Sequence, residues 1–190
     1  MKRIAIFCGA NTGNDGAFAH GARELAGVLL EKGLGIVYGG GSAGLMGIVA
    51  DEMLKGGGEV VGVIPHSLLH LETPHGGVLD LRIVGSMHER KGLMSTLADG
   101  FIALPGGTGT LEELLEAFTW TKLGIQAKPC GVLNVGGFYD PLADLLNCLV
   151  GHGFLKEEQK SLLVVEEDPR KLVEKLADLE KEWHRRDAGT

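Results

Sequence analysis

Residues 105–113, PGGTGTLEE, place three glycines and two threonines directly before a run of helix formers. Gly106, Gly107 and Gly109 let the backbone curl close to a ligand, Thr108 and Thr110 add hydroxyls, and the following helix offers free N–H groups at its positive end. Such a turn is suited to an anion. No Gly-Lys-Ser/Thr follows at the spacing of a triphosphate-binding loop, so a monophosphate on bare N–H groups and hydroxyls fits better than a nucleoside triphosphate. Beyond the turn, Leu111, Leu114, Leu115 and Phe118 recur at helical spacing and are expected to face the core, leaving Glu112, Glu113 and Glu116 off that face. A purely structural reading stands beside this one. Thr110 and Glu113 have capping-box spacing, in which Glu113 folds back on the Thr110 N–H and does no chemistry.

A second segment, GSMHERK at 85–91, has the same character. Ser86 and Glu89 form another capping box, so a helix is expected from about Met87. Arg90 and Lys91 then fall near its second turn, where a helix dipole penalises cations by roughly 0.3–1 kcal/mol. A pair of cations there points to an anion nearby, unless Glu89 simply relieves a surface pair. The third segment, VYGGGSAGLMG at 37–47, satisfies Gly-x-Gly-x-x-Gly at Gly39, Gly41 and Gly44. In a dinucleotide-binding fold that motif closes the first strand, and the next strand ends in an acid. Here it follows the second strand, and the next run ends VIPH, so NAD binding is disfavoured. What remains is a glycine loop, with Gly40 and Gly41 at its centre, whose N–H groups can face an anion. His66 and His70 have i, i+4 spacing with His75 nearby, but Pro65 and Pro74 bracket the segment. Loop histidines are the simpler reading, and no metal is expected.

The elements that must position these residues alternate strand and helix. Apolar, β-branched runs at 3–8, 35–39, 59–64, 81–84, 100–104, 130–135 and 161–166 read as strands, most of them continuously apolar as strands buried on both faces must be. Amphipathic segments at 15–32, 44–56, 87–98, 111–123, 139–151 and 169–184 lie between them. Asp168 is the expected N-cap of the last, with Leu172, Leu176 and Leu179 as its buried stripe. This order implies right-handed βαβ crossovers and an α/β, single-domain, Rossmann-like doubly wound parallel sheet spanning 1–190, with helices on both faces. Ligands in such sheets bind beyond the carboxyl ends of the strands, where the glycine clusters fall. The irregular stretch 65–80 is expected to loop over the site.

Composition narrows the function further. The chain has 190 residues, a net charge of −7 and 44% hydrophobic residues. An acidic balance argues against a nucleic-acid or anionic-membrane surface. Cys8, Cys130 and Cys148 are odd in number and without CxxC spacing, which fits buried thiols and a reducing cytoplasm. The opening apolar run stops after five residues, too short for a secretion signal, and nothing approaches a membrane span.

With MHERK (87–91) and PGGTGTLEE (105–113) in view, the sequence resembles the Lonely Guy (LOG) family of phosphoribohydrolases, whose signatures are Met-His-x-Arg-Lys and Pro-Gly-Gly-x-Gly-Thr-x-x-Glu. CGAN, YGGGSAGLMG and TWTKLGIQAKPCGVLNVGGFYDPL are also similar to that family, so the resemblance covers nearly the whole chain. It implies cleavage of the N-glycosidic bond of a purine nucleoside 5′-monophosphate, AMP or an N6-prenylated AMP (a cytokinin nucleotide), to free base and ribose 5-phosphate. By the same resemblance Arg90 and Glu113 are the catalytic pair. Gly106, Gly107, Gly109 and Thr110 hold phosphate, Lys91 and Glu112 neighbour the sugar and phosphate, and Thr119 and Glu72 are further contacts.

The family implies a homodimer and no cofactor. The chemistry agrees with the residues: cleavage builds positive charge on the ribose, which needs a carboxylate and an oriented water, and Glu113 can serve both. Arg90 either fixes substrate and glutamate or assists the leaving base. The label lysine decarboxylase, often attached to this family, is disfavoured because no lysine follows a pyridoxal-phosphate pattern. The competing class is a nucleotide or molybdenum-cofactor carrier of the same fold that does not hydrolyse its ligand.

Overall fold

A computed structural model describes residues 1–70 and 72–187. Seven strands, β1 (Arg3–Phe7), β2 (Gly35–Tyr38), β3 (Val60–Pro65), β4 (Asp80–Val84), β5 (Gly100–Ala103), β6 (Cys130–Leu133) and β7 (Leu163–Glu166), form one sheet in the order β4-β3-β2-β1-β5-β6-β7. Every ladder is parallel. The helices are α1 (Gly16–Glu31), α2 (Gly44–Lys55), α3 (Met87–Leu97), α4 (Thr108–Lys122), α5 (Asp140–Gly151), α6 (Glu157–Lys160) and α7 (Pro169–Asp187).

The period-2 alternation of each strand divides its side chains between two cores. Ile4 and Ile6 of β1 face Leu25 and Leu29 of α1, Val49 of α2 and Leu172 of α7. Ala5 and Phe7 face the other way, toward Met94 of α3, Leu114 and Phe118 of α4 and Leu146 of α5. Both faces are therefore covered, which is why the central strands carry almost no polar residues. Phe118, 3% exposed, lies deep in the second core. Phe118→Asn is expected to lower stability by about 3–5 kcal/mol, because it removes an aromatic ring and buries an amide without a partner. Urea unfolding followed by circular dichroism measures this.

The expected strands and long helices are present, with ends shifted by a few residues. Asp168 caps α7 as expected, its carboxylate accepting from the Arg170 and Lys171 N–H groups. Leu172 and Leu176 are fully buried there. Several expectations are corrected. The helix placed at 111–123 begins at Thr108, three residues earlier. Leu115 is 38% exposed, because Ala117 rather than Leu115 completes the buried stripe with Leu114 and Phe118. Cys148 is exposed while Cys8 and Cys130 are buried. The four-residue α6 and two 3-10 turns at 66–68 and 135–137 carry too little apolar periodicity to be seen in sequence. Among the described residues no helix is long and apolar enough to cross a membrane.

Strand order reverses once. From β1 the chain winds outward through β2, β3 and β4, then returns along α3 to β5 on the other side of β1. The loops leaving β1 and β5 part there and open a crevice beyond their carboxyl ends.

Candidate functional site

That crevice is a cavity of about 520 Å³, walled by residues 8–13 after β1 and 105–110 after β5. The two loops are stitched together by the Gly9 N–H donating to the Pro105 carbonyl at 3.1 Å. Leu45 at the start of α2 donates to the Gly9 carbonyl at 3.0 Å. Gly106 is required at this crossing: a Cβ on it would lie 2.1 Å from Thr110 Oγ1 and 2.9 Å from the Gly9 nitrogen.

Gly107 is the N-cap of α4, and no side chain caps the helix. The first N–H groups, from Thr108 to Thr110, therefore have no partner within the helix, and these residues line the cavity. A fifteen-residue helix thus points its uncapped positive end into the crevice, an arrangement that can hold an anion. This arrangement removes the capping-box reading. Thr110 sits inside the first turn rather than at the cap.

Glu113, one turn on, is turned into the cavity wall with its side chain 10% exposed, and its Oε1 has no hydrogen-bond partner among the described residues. Opposite it, Arg90 Nη2 lies 3.7 Å from Glu113 Oε1, and the Arg90 side chain is 7% exposed. Burial pushes the Glu113 carboxyl up to about 7, opposed by Arg90 and Lys91 and assisted by Glu112 and Glu72. A carboxyl balanced near neutrality can take up or release a proton, and the fixed guanidinium beside it supplies a permanent positive charge and N–H donors. Cys8 lies on the same wall, but burial pushes its thiol up, so it is a neutral surface rather than a nucleophile.

Arg90 reaches this place through α3 and the glycine loop. Ser86 Oγ accepts from the Glu89 N–H, and Glu89 in return accepts from the Gly85 N–H, one residue before the expected box partner. The guanidinium then lies against the bare backbone of Gly39, where a Cβ would fall 2.2 Å from Nη2. Gly39→Ala is expected to leave the sheet intact but displace the guanidinium, lowering kcat/KM about tenfold to a hundredfold with a change in Tm of a few degrees. Kinetics and a thermal scan on the same preparation check it.

The structure brings together Arg90, Glu113, Glu112, Glu72, Gly106, Gly107, Thr108, Gly109 and Thr110 on one cavity. It places four other expected residues elsewhere. Lys91 pairs with Glu112 and, at 3.1 Å, with Glu116, tying α3 to α4 outside the cavity wall. Thr119 lies three turns along α4, away from the cavity. Gly40 and Gly41 bind the chain segment ahead of β4: Gly40 accepts from the His75 N–H, and Gly41 bridges Pro74. That segment does lie over the site, and Glu72 and Leu68 line the cavity from it. The three loop histidines do not converge, and among the described residues no group of three His, Cys, Asp or Glu could hold a metal ion.

Sequence reasoning missed the first wall. Asn11 and Thr12 line the same cavity as the α4 N-terminus, and Phe18 and Phe138, in edge contact at 5.6 Å, also line it. The signal was the turn-rich CGANTG directly after the first strand.

A family model described as "Possible lysine decarboxylase" matches residues 46–176. The cytokinin riboside 5′-monophosphate phosphoribohydrolase LOG of Oryza sativa subsp. japonica is 46% identical over 96% of this chain and 76% of its own length. A cytokinin riboside 5′-monophosphate phosphoribohydrolase of Arabidopsis thaliana is 44% identical over 94% of this chain and 84% of its own. Among solved structures, the molybdenum cofactor carrier protein of Chlamydomonas reinhardtii superposes with a TM-score of 0.72 over 94% of this chain and 97% of that one. Its identity is 18%, so this likeness speaks of the fold alone.

Proposed function

The chain belongs to the LOG family of cytokinin riboside 5′-monophosphate phosphoribohydrolases, and from that premise we propose that its cavity hydrolyses the N-glycosidic bond of cytokinin riboside 5′-monophosphates, of AMP, or of both. The protein is a hydrolase acting on N-glycosyl compounds. The observation that carries the site assignment is the buried Arg90–Glu113 pair, at 3.7 Å, on the same cavity as the uncapped N-terminus of α4.

In this reading the 5′-phosphate sits on the N–H groups of residues 108–110, with the Thr108 and Thr110 hydroxyls as further donors. Anchoring the phosphate away from the reacting bond fixes the ribose, which selects nucleotides over nucleosides. Ionised Glu113 faces the positive charge that develops on the ribose ring and takes the proton of the attacking water. The water oxygen bonds to C1′ as the C1′–N9 bond breaks, its electron pair leaves with the base, and the base takes up a proton while Glu113 releases the one it accepted, which restores the ionised carboxylate. Arg90 orients Glu113 and donates to the nucleotide. Its Nε is buried and has no acceptor among the described residues. Glu112 and Glu72 contact the sugar side, Gly106, Gly107 and Gly109 shape the phosphate turn, and Lys91 holds α3 against α4.

Decarboxylation through a pyridoxal phosphate is not supported. That chemistry needs a lysine in the cavity, and none is among its lining residues, while Lys91 is engaged by Glu112 and Glu116.

The working unit proposed is a cytoplasmic homodimer of a single-domain chain. Three free thiols support a reducing compartment. Met87 on α3, Leu115 on α4, and Leu123 and Ile125 just after α4 are apolar residues 38% to 66% exposed, on the elements that carry Arg90 and Glu113. A second copy covering them would close over the site.

The experiment that tests the reading compares AMP and isopentenyladenosine monophosphate with their nucleosides, following free base by chromatography without added metal or cofactor. Cleavage of either nucleotide, with the nucleosides at least about a hundredfold poorer in kcat/KM, supports it. Binding of AMP without cleavage of either nucleotide supports a carrier instead.

A further inference from the structure

Glu72 presents an anomaly. Its Oε2 is buried at the cavity without a hydrogen-bond partner among the described residues, so no side chain holds the carboxylate in place. Its own N–H donates to the Leu68 carbonyl at 2.8 Å, and the rest of the hold comes from the backbone that follows. The Ser42 N–H and Oγ both donate to the Thr73 carbonyl, at 2.9 and 3.0 Å, Gly41 bridges Pro74, and the His75 N–H donates to the Gly40 carbonyl at 3.0 Å. These bonds strap residues 72–75 onto the glycine loop after β2.

The strap ends in a side-chain latch. The His75 ring is 10% exposed, its Nδ1 accepts from the Gly77 N–H at 3.2 Å, and its Nε2 lies 3.2 Å from Asp51 Oδ1 on α2. Because Nδ1 is an acceptor here, the proton must be on Nε2, and Nε2 is the donor to Asp51. One imidazole therefore fixes the turn at 75–77 and ties it to a helix of the main fold. The proposed reaction gives this pair no part, and neither residue lines the cavity.

We propose that His75 is a positioning residue for the nucleotide: its Nε2–H···Asp51 bond latches the strap to α2 and so holds the Glu72 carboxylate at the cavity, where it accepts from a hydroxyl or amine of the bound nucleotide. The proposal rests on the phosphoribohydrolase reading for the identity of that ligand. An acceptor-only carboxylate needs a donor from the ligand, and a nucleotide brings several in its ribose hydroxyls and exocyclic amine. Releasing the latch lowers the fraction of molecules with Glu72 in place. That reduces apparent affinity without altering the reacting pair.

The test is a double-mutant cycle on the full chain, with AMP or its prenylated counterpart as substrate. His75→Ala and Asp51→Ala are each expected to raise KM about tenfold with kcat changed less than about threefold. Glu72→Ala is expected to do at least as much. The deciding comparison is His75→Ala in the Glu72→Ala background, where the latch should have no further effect. His75→Gln, whose amide N–H sits where Nε2–H was, should return KM to within about threefold of wild type, which a loss of packing alone would not allow. Hydrogen exchange should show faster opening of 72–78 in His75→Ala and not in His75→Gln.

Additive effects of Glu72→Ala and His75→Ala overturn the proposal, as does a wild-type KM in Glu72→Ala; both leave the reaction at Arg90 and Glu113 standing. Failure of the wild-type protein to release any base overturns the underlying reading, and the nucleotide contact of Glu72 with it.

Discussion

Glu113→Gln is expected to bind AMP and lose about three orders of magnitude in kcat. The glutamine keeps the shape of the side chain and loses the ability to take a proton, and general-base groups typically contribute about 10²–10⁴-fold. The pH dependence of the wild type provides an independent check. Burial holds the Glu113 carboxyl near 7, and only its ionised form accepts the proton of water. kcat/KM should therefore rise about tenfold per pH unit on the acid side and level off above about 7, and the residual activity of Glu113→Gln should lack that limb.

The same carboxyl makes a prediction about stability. Its folded pKa lies above its unfolded value, so the native state binds the extra proton between the two. Its contribution to stability is therefore full below about 4.5 and is lost as pH rises through about 7. Glu113→Gln should accordingly melt a few degrees above wild type at pH 8 and close to it at pH 4.5, the signature of a group kept for function at a cost to the fold.

Arg90→Ala has the second largest expected effect, a fall of about 10²–10³ in kcat/KM in a protein that remains folded. The guanidinium is a buried, fixed donor and countercharge, and removing one such group commonly costs this much. Folding survives because Glu113, without its cation, takes up a proton rather than remaining a buried unpaired charge. Since Arg90 holds the Glu113 carboxyl down against burial, its loss should also move the acid limb of the remaining activity to higher pH. Arg90→Lys keeps the charge but not the planar fork, and should recover only part of the loss. Activity unchanged in Arg90→Ala, or an acid limb that does not move, would remove Arg90 from the reaction.

Much of this was legible in the sequence because local and global signals agree. Continuously apolar runs such as RIAIF and VVGVIP could only be strands buried on both faces, and the glycine clusters after them marked the end of the sheet where a ligand binds. Other features were not legible because they depend on contacts between distant segments. Whether Glu113 caps its own helix or faces a cavity depends on where α4 begins, and the turn before it is held by Gly9 from the distant β1 loop, which bonds to Pro105 and packs against Gly106. Gly39 reads as an anion loop in sequence, whereas in the fold it leaves room for the Arg90 guanidinium. Lys91 follows Arg90 directly, but successive helical residues diverge by about 100°, so one reaches Glu113 and the other Glu112 and Glu116. The wall at 8–13 carries almost no ionisable groups and gave no chemical signal, although its position after the first strand located it.

The measurement that bears most directly on the central claim is the identity of the products formed from a single nucleotide. Isopentenyladenosine monophosphate or AMP is incubated with the wild-type protein, and the mixture is resolved by mass. Free base and ribose 5-phosphate in equal amounts, formed by wild type and about a thousandfold more slowly by Glu113→Gln, are the predicted result. Nucleoside plus inorganic phosphate, or the intact nucleotide recovered from a protein that binds it, would contradict the account.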